Sequence, residues 1–175
     1  GVHEMAHRAI ASGQFEGPVP RQHLSQNIEH SPIHNAWQEK RDQLLPEDFP
    51  SEEVTVYSDY LLNKGPAYGQ VGGVHDILKD SNGQTYVVKE ADAILAKQLF
   101  ESIEGIDIMT PGAVALASLQ QALASGEVES SSPTVLNISG GGVKRYKQDQ
   151  ETEIIEPWLR VKKANGAMKI LEALQ

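Results

Sequence analysis

Two histidines near the start of the chain have the spacing of a zinc-binding motif. His3, Glu4 and His7 spell H-E-x-x-H, and on a helix this pattern puts both imidazoles on one face with the glutamate as a general base. The extended motif is absent, because Ile10 and Gly13 stand where a glycine and a third histidine would be required. An amphipathic helix that happens to carry two histidines explains the pattern better than a metal site. We therefore expect no metal, and keep a zinc hydrolase on His3, His7 and Glu4 as an alternative.

A second candidate is the run Ser139, Gly140, Gly141 and Gly142, which follows the short apolar segment 134–139. Such a segment is typical of a buried strand. In open α/β sheets ligands bind outside the carboxyl ends of strands, and glycines allow backbone and ligand to approach closely. A serine hydroxyl there can hydrogen-bond a ring nitrogen without adding charge. A flexible glycine turn is the competing interpretation.

Other polar residues carry weaker signals. Asn27 is of interest because it follows a predicted strand, whereas Thr110 and Pro111 are explained as the N-cap and first residue of a helix. Four further histidines lack ligand spacing and are expected on the surface or in loops: His23, His30, His34 and His75.

Helices and strands must alternate to position these groups. Periodicity and glycine or proline signals predict helices over 2–12, 32–45, 74–78, 91–105, 110–126 and 167–174. They predict strands over 19–25, 84–88 and 134–139, with 53–57 as a further possible strand in the loop-rich region 46–73. This alternation favours an α/β layered architecture.

Composition narrows the function classes. The 175 residues include no cysteine, 15 lysine and arginine residues, and 24 aspartate and glutamate residues. The chain therefore has no disulfide, thiolate ligand or cysteine nucleophile. The acidic balance disfavours nucleic acid as a partner, and no apolar run is long enough to span a membrane. Without a secretion signal at the start, we expect a cytoplasmic protein.

Four blocks together resemble a known family: PRQHLSQN at 20–27, NKGPAYGQVGGVHDIL at 63–78, EGIDIMTPGAVALASL at 104–119 and VLNISGGG at 135–142. They resemble the C-terminal half of fold-type II pyridoxal-phosphate (PLP) enzymes of the threonine synthase group, closest to cysteate synthase. The resemblance implies a partial large domain of the three-layer, tryptophan synthase β-subunit-like α/β fold over residues 1–145. Residues 146–175 are expected to form a polar tail with a terminal helix.

The resemblance also implies a cofactor site. Ser139 occupies the position of the hydroxyl residue that binds the pyridine nitrogen of PLP, Gly140 follows it, and Gly1 would end the loop that cradles the cofactor phosphate. Asn27 completes the expected cofactor-binding set. The loop from Lys64 to Gly73 would line the substrate side.

No catalytic residue is identifiable, because no lysine in this chain stands in the serine- and arginine-containing motif that carries the family's Schiff base. A missing N-terminal half or a partner chain would supply that lysine, and the whole enzyme would be a homo-oligomer. The implied reaction converts O-phosphoserine and sulfite to cysteate and phosphate, a step in coenzyme M biosynthesis. Threonine synthase, acting on O-phosphohomoserine, is the nearest alternative. A non-catalytic binding domain is another.

Overall fold

The computed structural model describes residues 1–153, 155–159 and 166–174. Seven α-helices are present in these ranges: α1 (Val2–Ala11), α2 (Pro32–Gln38), α3 (Val74–Asp80), α4 (Glu90–Glu104), α5 (Thr110–Ala124), α6 (Val143–Asp149) and α7 (Gly166–Ala173). Two strands are present in the same ranges: β1 (His23–Asn27) and β2 (Gln84–Val88). Strands and helices therefore alternate, and the predicted α/β class is confirmed.

The two strands form a small parallel sheet, with His23 opposite Gln84 and Asn27 opposite Val88. Arg21 braces the amino end of this sheet. Its guanidinium donates to the carbonyl of Asn82 at 2.7 Å and to the carbonyl and carboxylate of Glu127 at 3.0 and 2.8 Å. The loops that precede β2 and follow α5 are thereby tied to the start of β1.

The main core lies between the sheet and the helices α4 and α5. Small residues line the contact between the helices, because Ala93 and Ala96 of α4 and Ala113 and Ala117 of α5 are all buried. The large apolar residues whose helical spacing predicted α4, Ile94, Leu95, Leu99 and Ile103, are instead exposed, with Leu95 63% and Ile103 68% accessible. The helix is confirmed, but its buried face is the alanine face. Further core members are Val88, Ile108 and Val114.

A second core joins α2 and α3 through Ile33, Ala36, Tyr68 and Leu78. The Tyr68 hydroxyl donates to the carbonyl of Arg41 at 2.8 Å, and burial raises the pKa of this phenol to about 12.

The helix α2 ends at Gln38, whereas the sequence predicted it to residue 45. Lys40 takes a left-handed conformation with φ of 55°, which a helix cannot continue through. The carboxylate of Asp48 then accepts from Arg41 at 2.8 Å and from the backbone N–H of Leu45 at 2.7 Å. These bonds hold the following residues in a turn, and the hydrogen bond from Arg41 lowers the pKa of Asp48.

Three strand predictions differ from the structure. β1 begins and ends later than the predicted 19–25, so Asn27 closes the strand instead of following it. No strand forms over 53–57. The segment 134–139 is irregular and mostly exposed, with Val135 96% accessible. A buried strand needs a neighbour to satisfy its backbone groups, and the pairing of this part of the chain with residues 107–109 lies just beyond the segment, at Gly140–Gly142.

Contacts within the chain define two units, Gly1–Val143 and Lys144–Gln175. The predicted terminal helix is present as α7, whereas α6 was not predicted because its sequence is strongly polar. Among the described residues, no helix is both long enough and apolar enough to cross a membrane.

Candidate functional site

A buried hydrogen-bond network lies at the carboxyl end of β1. The side-chain amide of Asn27 donates to the carbonyl of Ser58 at 2.9 Å, and its oxygen accepts from the N–H of Ser58 at 3.2 Å. The hydroxyl of Thr110, the first residue of α5, donates to the Ser58 hydroxyl at 3.1 Å. Asn27 is 1% accessible. This Asn27–Ser58–Thr110 network therefore fixes the loop before residue 59 and the start of α5 against the strand end.

Thr110 was expected to be the N-cap of α5, but Met109 takes that position and Thr110 is the first helical residue. Its hydroxyl is used in the network instead. Ser58 was missed by sequence reasoning, because nothing in its local sequence marks a serine that binds 31 residues away.

The glycine segment, Ser139–Gly142, runs antiparallel to residues 107–109. Met109 N–H donates to the carbonyl of Gly140 at 2.9 Å, and Gly142 N–H donates to the carbonyl of Asp107 at 2.8 Å. A Cβ on Gly141 would lie 2.4 Å from the Asp107 carbonyl oxygen. Protein backbone, rather than a ligand, therefore occupies the space that this glycine leaves open.

Ser139 itself is exposed, and its hydroxyl makes no hydrogen bond to any of the described residues. The neighbouring Ile138 packs against the main core, which anchors the serine beside the start of α5. The structure thus brings Ser139 and Gly140 close to the Thr110 end of the Asn27–Ser58–Thr110 network.

Gly1 makes its contacts within its own helix. It is the N-cap of α1, and its amino group is 3.9 Å from the Glu4 carboxylate. No contact described for Gly1 reaches Asn27 or Ser139. Within the expected cofactor-binding set, Gly140 is paired with Met109 and Asn27 with Ser58, and the role of the four residues stays a prediction.

The loop expected on the substrate side, from Lys64 to Gly73, is packed against the chain that follows α2. Tyr68 is buried, and a Cβ on Gly69 would lie 2.3 Å from the carbonyl oxygen of Asp42. The middle of this loop is thus part of the second core.

The two histidines of the H-E-x-x-H pattern converge on a residue that the motif does not include. Nε2 of His3 and Nε2 of His7 lie 3.1 and 2.7 Å from Oδ2 of Asp80, the last residue of α3. Glu4 is turned away and pairs with Arg8. Asp80 was missed because only the fold brings it to α1.

Two of the other histidines are less exposed than the sequence predicted. His30 is buried and its Nε2 donates to the carbonyl of Asn63 at 3.0 Å. His34 is half-buried, hydrogen-bonded to the Thr85 hydroxyl at 2.9 Å, and burial lowers its pKa. Their roles here are structural.

Comparison with known proteins found similarity to curated cysteate synthases. The chain is 42% identical to that of Methanosarcina barkeri over 160 residues, which are 89% of this chain and 38% of the relative. It is 42% identical to that of Methanocella arvoryzae over 162 residues, 90% of this chain and 39% of the relative. For that of Methanospirillum hungatei the identity is 41% over 177 residues, 99% and 42% of the two chains.

No family model matches the chain. The chain spans about two fifths of the length of the curated relatives it matches. The resemblance predicted from the four sequence blocks is confirmed by these comparisons: over about nine-tenths of its own length, this chain is similar to part of a cysteate synthase.

Proposed function

We propose that this chain is the C-terminal portion of a PLP-dependent enzyme that forms cysteate and phosphate from O-phosphoserine and sulfite. The observation that carries the proposal is the similarity to cysteate synthases at about 40% identity over most of the chain. The comparisons do not favour threonine synthase, a non-catalytic domain or a zinc hydrolase.

The residues around Ser139 suit the ring nitrogen of PLP. An exposed hydroxyl without a partner among the described residues is free to hydrogen-bond that nitrogen. The neighbouring Ile138, which packs against the main core, and the hydrogen-bonded backbone of Gly140 fix the position of this serine.

When bound, PLP supplies the electron sink that allows an amino acid to lose a group from its β-carbon. This chain would contribute a neutral hydrogen bond from Ser139, which leaves the pyridine nitrogen largely unprotonated and moderates that sink. The Asn27–Ser58–Thr110 network would keep the adjacent strand end and helix start rigid. The Schiff-base lysine would come from the remainder of the polypeptide or from a partner chain.

The test uses the complete gene product, purified and supplied with PLP, O-phosphoserine and sulfite. We expect cysteate by mass spectrometry together with equimolar phosphate. Threonine formed from O-phosphohomoserine instead, or no product with either substrate, would overturn the proposed reaction.

A matched pair of variants tests the role of Ser139. Ser139→Ala should weaken PLP retention about tenfold, as expected for the loss of one hydrogen bond, and should lower cysteate formation. Ser130→Ala, a change of the same kind at another exposed serine, should alter neither. Equal PLP retention by both variants would show that Ser139 does not hold the cofactor.

A further inference from the structure

Three metal-ligating side chains meet between α1 and the end of α3. One ligand atom from each of His3, His7 and Asp80 can be chosen so that all three lie within 4.8 Å of one another. Ligands of a tetrahedral zinc ion, each about 2.1 Å from the metal, are separated by roughly 3.4 Å. The two nitrogen-to-oxygen distances, 3.1 and 2.7 Å, require only a small outward movement to reach that separation.

The two histidines are preorganised by their helix. They lie four residues apart on α1, their rings are 4.7 Å apart between centroids, and both direct Nε2 toward the same carboxylate oxygen. Nδ1 of His3 is buried without a hydrogen-bond partner among the described residues, so Nε2 is the nitrogen available to a ligand. Two imidazoles and one carboxylate match the donor set of zinc and related transition metals, whereas magnesium and calcium prefer oxygen alone.

The position is open on one side. The side chains of His7 and Asp80 are 48% and 49% accessible, while that of His3 is 15% accessible. A metal ion can therefore enter from solvent and complete its coordination with water. No residue of α1 is buried. Coordination of a metal by residues of α1 and α3 would therefore add substantially to the contacts that hold this helix in place.

We propose that His3, His7 and Asp80 form a zinc-class metal site that fastens α1 to the end of α3. The site differs from the H-E-x-x-H arrangement, because Glu4 takes no part and Asp80 is the third ligand. Asp80 precedes the amino end of β2, whereas Asn27 closes β1 at its carboxyl end. The metal is therefore at the opposite end of the strands from Ser139 and has a structural role.

The direct test measures zinc bound by the purified 175-residue chain after chelator treatment, dialysis against zinc and elemental analysis. We expect one zinc per chain and a rise in melting temperature on zinc addition. His7→Ala and Asp80→Asn should each weaken zinc binding by at least the roughly 10- to 100-fold that the loss of an outer-shell partner costs. Both changes are at half-exposed side chains, and circular dichroism checks that the variants fold.

Two further variants separate a metal site from a simple ion pair. His23→Ala removes an exposed histidine outside the group and should leave zinc binding unchanged. Asp80→His replaces one ligand by another, so it should keep zinc bound although it abolishes any ion pair with the histidines. Substoichiometric zinc in the unaltered chain, or a zinc affinity in His7→Ala and Asp80→Asn equal to that of the unaltered chain, would overturn the proposal.

Discussion

Asn27 satisfies both backbone polar groups of Ser58 at a place that solvent does not reach. Ser58 is fully buried, so its N–H has no water as a substitute partner, whereas its carbonyl also accepts from the N–H of Leu61 at 3.1 Å. An unsatisfied buried group costs about 1–3 kcal/mol. Asn27 is therefore a structural requirement of the strand end, whether or not it also contacts a ligand.

We predict that Asn27→Ala lowers the free energy of unfolding by about 1–3 kcal/mol, because the buried N–H of Ser58 loses its partner, whereas the Ser58 carbonyl keeps the N–H of Leu61. Urea denaturation measures the change. Asn137→Ala changes an exposed asparagine just before the glycine segment. It is the matched control and should change the free energy of unfolding by less than about 0.5 kcal/mol. Equal effects of the two substitutions would contradict the role given to Asn27.

The residues of the candidate site were only partly predictable. Ser139 and Gly140 were found because an apolar run followed by glycines is a local signal. Ser58 and Asp80 carry no such signal, since each acts through a partner far away in sequence. The three glycines were predicted to admit a ligand, whereas the closest atom to a Cβ on Gly141 belongs to Asp107.

At the scale of the element, α4 shows how helix contacts are chosen by residue size. Alanines on α4 and α5 let the two axes approach closely, and the bulkier Leu95 and Ile103 remain in solvent. Clustered exposed apolar side chains favour association between molecules.

We predict that the double variant Leu95→Lys and Ile103→Lys changes the free energy of unfolding by less than about 1 kcal/mol and reduces self-association. Denaturation and light scattering measure the two quantities. Ala96→Lys places the same charge on the 0% accessible face and should cost about 3 kcal/mol or more, because the charge would be buried without a partner. A large destabilisation by the double variant would show that the leucine face is the packed one.

Local sequence signals were sufficient to predict where the helices that stop near a glycine end. Gly13 and Gly105 both adopt positive φ, at 70° and 67°; Gly13 follows the C-cap of α1 and Gly105 is the C-cap of α4. The strand prediction for the segment 134–139 was wrong for a different reason. Its apolar pattern indicates side chains that favour burial. The pattern does not show whether a neighbouring strand is present to satisfy the backbone groups of a buried segment.

For the whole molecule, the unit Gly1–Val143 contains both cores and every residue of the candidate sites. The described residues after Val143 are almost all exposed. Tolerance of truncation follows from the burial of the residues removed.

We predict that a chain ending at Val143 keeps its urea midpoint and its slope within error of the full 175-residue chain, because no core residue is lost. The measurement is equilibrium denaturation of both proteins under one set of conditions. A fall of more than about 1 kcal/mol in the free energy of unfolding would show that the removed unit contributes to the stability of the first.

The contacts of Arg21 and Asn27 also bear on the alignment of the two strands. β1 and β2 are separated by more than fifty residues, so no tight turn sets which residue of one strand faces which residue of the other. A slip by one position would turn every side chain of a strand to the opposite face. Arg21 holds the loop before β2 at one end, and Asn27 holds Ser58 at the other. A slip of β2 along β1 would break the bond from Arg21 to Asn82, so a side chain outside the hydrogen-bond ladder helps to fix the pairing.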